Sequence, residues 1–169
     1  MATTIEYPLE LDIVDPTNSN AFWTRQDNQS GYGGVFRFSG DSYPHAKMVF
    51  IGTVPPNVAA TPAWNIVLHH AIQTAAGNVL LRAEATVVGS GDTPGPRTVI
   101  VPNVLYGVDA SGDHNRTVMS GSDFDVLLPL GAGKMLRVEL MRCPNQASGD
   151  TAGKHWDLLL PPLLRVDVT

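Results

Sequence analysis

Lys134-Met135-Leu136-Arg137-Val138-Glu139-Leu140-Met141-Arg142 decides the fold. Successive side chains on a β-strand point to opposite faces, so Leu136, Val138 and Leu140 share one side while Arg137 and Glu139 take the other. The stretch is a β-strand with one face on a core. After a loop of small and polar residues, 143–153, the chain returns as His155-Trp156-Asp157-Leu158-Leu159-Leu160. Past Pro161-Pro162 it continues as Leu163-Leu164-Arg165-Val166-Asp167-Val168, where Leu164, Val166 and Val168 again alternate with charge. The C-terminal third therefore reads as strands packed on a core, with nothing that resembles an active site.

The same period of two runs through the beginning of the chain. Ile5, Tyr7, Leu9, Leu11 and Ile13 alternate with Glu6, Pro8, Glu10 and Asp12. Pro8 has no N–H to give to a ladder, so this strand belongs at a sheet edge or on a neighbouring chain. Residues 15–20 end it. Phe22 and Trp23 form a short aromatic patch, followed by a polar, glycine-rich loop at 26–34. Strands are predicted at 35–38 and 46–52, split by turn residues.

Residues 63–76 fit two periods. Trp64, Val67, Leu68, Ala71, Ile72 and Ala75 fall on one helical face, with Thr61-Pro62 as a start signal and Gly77 as a stop. Trp64, Ile66, Leu68, His70 and Ile72 also alternate as a strand requires, and the β-rich surroundings favour that reading. Leu81, Ala83, Ala85 and Val87 oppose Arg82, Glu84 and Thr86 in a further strand at 79–88. Short strands are predicted at 97–101, 104–106, 116–119 and 124–128, with turns at 89–96 and 109–113.

Composition agrees with many short elements. Of 169 residues, 16 are Gly and 13 are Pro, the two types that punctuate a chain into turns. A chain of this length buries roughly 70% of its unfolded surface and can build its own core. The fold predicted is all-β: one domain over residues 1–169, an antiparallel two-sheet sandwich of the jelly-roll kind. Residues 1–14 are either its edge strand or an arm reaching a neighbouring subunit.

Charge and cysteine usage narrow the function. A net charge of -5 without a basic cluster argues against nucleic acid as a partner. The longest oily run, 158–164, is short and broken by two prolines, so no membrane span is expected. Glu6, Glu10 and Asp12 interrupt the N-terminus where a secretory signal would be basic and then continuously apolar. The single cysteine, Cys143, cannot form an internal bridge, which suits synthesis in a reducing cytoplasm. Its expected role is that of a half-buried structural thiol.

Candidate chemical motifs fail on their spacing. Gly131-Ala132-Gly133-Lys134 resembles the end of a phosphate-binding loop, but Leu128 and Met135 stand where a glycine and a Ser or Thr are required. A glycine-rich hairpin turn is the better account. His69 and His70 are adjacent, so on a strand they face opposite ways and cannot clasp one metal ion. Asp109, Ser111 and Asp113 alternate in a turn but lack the glycine and distant glutamate of a calcium loop. No Gly-x-Ser-x-Gly elbow or His-Glu-x-x-His motif occurs. Trp23, Trp64 and Trp156 could stack on sugar, yet each lies beside apolar residues, as packing residues do. No catalytic residue, metal or cofactor is expected.

One larger pattern remains. Trp64-Asn65-Ile66-Val67-Leu68 opens a strand, an edge strand follows, and Gly133-Lys134-Met135-Leu136-Arg137-Val138-Glu139-Leu140-Met141-Arg142 leads through a loop containing Asp150-Thr151-Ala152 to a closing apolar strand. Over residues 64–168 this order of features resembles the single jelly-roll structural proteins of tailed bacteriophages, head decoration (cement) proteins among them. The resemblance implies a non-enzymatic protein on the capsid exterior of a virion, made in the host cytoplasm. It further implies binding to the major capsid protein and self-association into a homo-oligomer, with a trimer favoured. Ile5, Tyr7, Leu9, Leu11, Ile13, Phe22 and Trp23 are the candidate partner-binding residues, because an extended alternating strand can add to a sheet edge of another subunit. Two other classes remain open: a carbohydrate- or receptor-binding module of a tail or spike using Trp23 or Tyr32, and a small cupin-like β-barrel enzyme.

Overall fold

In the computed structural model, residues 2–14, 21–24, 34–39, 46–72, 76–109, 113–119, 124–143, 149–152 and 155–169 are described, with 13–14 and 21–24 by backbone alone. The predicted loops at 15–20 and 26–33 lie outside these residues.

Two antiparallel sheets stack face to face. The sheet that carries the founding stretch is β2 (Glu10–Val14), β5 (Ala46–Thr53), β10 (Met135–Arg142), β7 (Gly77–Val88) and β8 (Thr98–Val108), in that spatial order. β10 lies at its centre, paired over its whole length with β5 on one side and β7 on the other. The second sheet follows the path β1 (Thr3–Pro8), β12 (Leu163–Val168), β6 (Trp64–Ile72), β11 (His155–Leu158), β4 (Val35–Ser39) and β3 (Ala21–Thr24), and β9 (Asn115–Met119) also pairs with β6. β12 pairs with residues 64–67 of β6 and β11 with residues 70–72, while β9 covers residues 66–70. Since a strand has only two edges, β11 and β12 must lie end to end along one edge of β6, broken at Pro161-Pro162, with β9 on the other.

The alternation predicted from sequence sets the core. Leu136, Val138 and Leu140 of β10 and Met48 and Phe50 of β5 are fully buried, as are Ile66 and Leu68 of β6 and Leu164 and Val166 of β12. Phe36 meets Phe50 edge-on across the two sheets, with ring centroids 5.7 Å apart. Trp156 packs on Phe38 at 5.1 Å. Within the segment 63–76 the structure shows a strand, β6, over Trp64–Ile72, as favoured from the sequence, and 73–75 lie outside the described residues. Trp64 and Trp156 are core residues, as their apolar neighbours suggested.

Three expectations need correction. The predicted strand at 124–128 is a single helical turn, α1 (Phe124–Leu127). Phe124 and Leu128 stand four apart, so one turn places both on the same side, where Phe124 packs against Trp64 at 5.0 Å. The Trp64 Nε1–H donates to the Leu128 carbonyl at 3.2 Å. The two short strands predicted at 97–101 and 104–106 are one strand, β8. Between the pairs Ala83↔Val101 and Leu81↔Val104, β7 advances two residues and β8 three. Pro102 and Asn103 absorb the extra residue as a β-bulge, with Asn103 at a φ of 36°. Residues 131–133 do make a turn, closed by the Lys134 N–H on the Gly131 carbonyl at 3.1 Å with Gly133 at a φ of 69°. It follows α1 rather than a strand, so it is not a hairpin turn.

Candidate functional site

Residues 2–14 form an edge of both sheets. β1 ends one sheet order and β2 ends the other, and among the described residues no strand pairs with the outer side of either. The one strand predicted over residues 5–13 is therefore two, because between them the chain steps from sheet to sheet at Leu9, whose N–H donates to the Pro162 carbonyl at 2.9 Å. The Leu9 side chain is fully buried. It sits so close to β5 that a Cβ on Gly52 would come within 2.6 Å of Leu9 Cδ2, so a side chain at position 52 would have to displace it. Pro8 falls at the last residue of an edge strand, as its missing donor predicted.

The predicted partner-binding residues divide unevenly. Ile5, Tyr7 and Leu11 are half-buried and pack against the core, and Leu9 belongs to it. Ile13 pairs with Val49 through its backbone. Phe22 and Trp23 pair with Arg37 and Phe36 as part of β3, at the far end of the same sheet from β1. Within that sheet the aromatic patch and β1 are therefore not neighbours. Tyr32, the alternative sugar-stacking residue, lies outside the described residues.

Beside the crossing lies an open cleft of about 340 Å³ lined by Tyr7, Pro8, Glu10, Ile51, Gly52, Thr53 and Met135. The Tyr7 hydroxyl donates to the Thr53 carbonyl at 2.9 Å, and burial pushes its pKa up to about 12. Met135 is 40% exposed, which leaves an apolar spot next to an open strand edge. Sequence reasoning missed this cleft because its lining is drawn from four separate strands that only the fold brings together.

The outer faces of both sheets are laced with ion pairs. Arg37 donates to both oxygens of Asp157 at 2.8 Å, and this hydrogen bond raises the guanidinium pKa above its ordinary value. Glu6 accepts from Arg116 at 2.5 Å and lies 3.8 Å from Arg165. On the other sheet Glu139 accepts from Arg97 at 2.5 Å, with Lys47 at 3.6 Å. Glu139 was expected on the solvent face, yet it is only 4% exposed, because these long cations lie over it.

The histidines separate as strand geometry requires. His70 points into the core, where it accepts the Trp156 Nε1–H on Nδ1 at 3.1 Å and lies 2.8 Å from Thr117 Oγ1 through Nε2. An indole N–H can only donate, so Nδ1 carries the lone pair and the Nε2–H donates to Thr117. His69 faces outward and meets His114, Nδ1 to Nε2, at 2.7 Å. Among the described residues no group of three or more His, Cys, Asp or Glu is placed to hold a metal. Cys143 is fully buried rather than half-buried, and burial pushes its thiol up to about 11. Among the described residues no helix is long and apolar enough to cross a membrane.

No protein-family model matches this chain, and no curated protein matches it. Solved structures do resemble it. That of the infectious bursal disease virus Gx strain covers 97% of this chain and 37% of the viral one at 11% identity and a TM-score of 0.46. The VP2 subviral particle of the same virus covers 99% and 32% at 13% identity and a TM-score of 0.44. The solution structure of CtCBM11 covers 97% of this chain and 95% of its own at 10% identity and a TM-score of 0.44. The chain spans about a third of the length of the viral chains it matches.

Proposed function

We propose that this chain is a structural protein of a phage virion: a capsid decoration protein that binds the major capsid protein on the outside of the shell and joins copies of itself, as a trimer, around symmetry axes. One observation carries the reading, the open edge of β1, since β2 beyond it is bulged between Leu11 and Ile13. β1 pairs with β12 in six consecutive register pairs without a bulge, so its outer side is a straight row of backbone donors and acceptors. The comparable edge at β8 is kinked by its bulge and interrupted by Pro102, which blunts it against pairing. A straight edge beside an apolar spot suits strand addition by a neighbouring subunit. Closed symmetry would then cover it.

Electron microscopy of purified particles with and without the protein tests the proposal. Density of this size on the outer shell, present only in particles that contain the chain, is the expected result. Particles identical in both preparations would overturn it. A second reading rests on the cleft, where Tyr7 and Glu10 stand beside each other in an open site of a size suited to one or two sugar rings: a carbohydrate-binding module of a tail or spike. Reproducible glycan-array hits abolished by Tyr7→Ala would favour that reading over the first.

A further inference from the structure

We propose that His69 and His114 form a binding site for a borderline divalent transition-metal ion, Zn²⁺ or its neighbours, on the outer face of the seven-stranded sheet. In the register of β6 and β9, His69 stands opposite Arg116. His114, two residues before Arg116, is therefore its diagonal neighbour on the same face. The two imidazoles meet nitrogen to nitrogen at 2.7 Å, with ring planes 21° apart. Such a contact needs one nitrogen to donate and the other to accept. If that hydrogen moves to the far nitrogen of its ring by exchange with solvent, two lone pairs converge on one point. Zinc–imidazole bonds are about 2.0–2.1 Å, so two nitrogens on one tetrahedral ion lie roughly 3.3 Å apart. The site has to open by about 0.6 Å while each ring turns away from the present head-on contact so that both lone pairs meet the ion, and solvent water can fill the remaining positions.

Both ligands are held in place beforehand. The Asn115 side chain accepts the Asp109 N–H at 3.1 Å and donates to the Asp113 carbonyl at 3.0 Å, fixing the turn that presents His114. On the opposite face the His70–Thr117 hydrogen bond ties the same two strands together one residue away. Arg116, opposite His69, repels a cation there, and Glu6 offsets part of that by engaging it. Burial, with the neighbouring His114 as a lesser cause, lowers the His69 pKa.

Zinc titration of the full chain by calorimetry at pH 7.5 tests this site. The expected result is one ion per chain, with affinity lowered at least tenfold in His69→Gln and in His114→Gln. Both substitutions are at the surface, and unchanged circular dichroism checks that the fold is intact. Arg116→Gln removes the repelling cation and is expected to tighten binding. Absence of stoichiometric uptake by the parent chain, or parent-like affinity in either histidine variant, would overturn the proposal.

Discussion

His70 shows how a residue that sequence marks as chemically reactive is disarmed by its place in a sheet. It is fully buried between Trp156 and Thr117, and burial lowers its pKa from 6.5 to about 4. The folded pKa lies below that of the unfolded chain, so between pH 6.5 and 4 the unfolded state takes up a proton that the folded state refuses. Stability is therefore independent of this group above pH 6.5, falls as pH drops through the window, and levels off below pH 4. The full loss is about 3 kcal/mol. Urea midpoints at pH 7.5, 5.5 and 4.5 should show this decline, and His70→Gln, which keeps an acceptor for Trp156, should flatten it. A second pair of residues closes one end of the sandwich. Arg142 and Asp150 are each 1% exposed in their side chains and joined at 2.7 Å, with Asp150 also accepting the Leu80 N–H at 3.0 Å. Asp150→Ala leaves a buried guanidinium without its counter-charge and is expected to cost about 3–5 kcal/mol in chemical denaturation. Asp150→Asn, which retains one acceptor oxygen, should cost less.

Among the elements, the N-terminal segment has the most at stake. In the single chain it completes both sheets and delivers Leu9 to the core, so removing residues 1–14 should lower the melting temperature sharply in a thermal scan. A truncated chain that melts as the parent does would mean that the segment serves a neighbour and not its own domain. Leu9→Ala is expected to cost roughly 2–5 kcal/mol through the cavity it opens. Gly52→Val, which drives a side chain into Leu9, should cost about 1–3 kcal/mol by overpacking. The elements also show where periodicity misleads. Residues 124–128 are apolar enough for a strand, but Pro129 stops them from continuing and the Phe124–Leu128 spacing lets a single turn cap Trp64. Residues 97–106 look like two strands because Pro102-Asn103 resembles a turn, yet a bulge accommodates the same residues inside one ladder.

For the whole molecule, the question is how a sandwich with open edges stays specific. Ion pairs cover the outer faces and the bulge blunts β8, so under the proposed function self-association uses the open edge of β1. Sedimentation equilibrium at micromolar concentration should accordingly give a particle of three times the 18.1 kDa of one chain. A monomer at every concentration would count against self-association through this edge.

The sequence by itself determined the sandwich, because the period-two alternation in residues 5–13, 79–88, 134–142 and 163–168 dictates which face of each strand must leave water. It also determined that Pro8 lies at an edge and that His69 and His70 part company, since both follow from the covalent geometry of one strand. Only the tertiary structure decided what lies across a sheet: that Glu139 is roofed by Arg97, that Arg142 finds Asp150, that His69 meets His114, and that Tyr7 and Met135 share a cleft. These contacts join residues far apart in the chain through strand order and register. Local periodicity carries no information about order or register, because every strand with the same alternation could pair with every other.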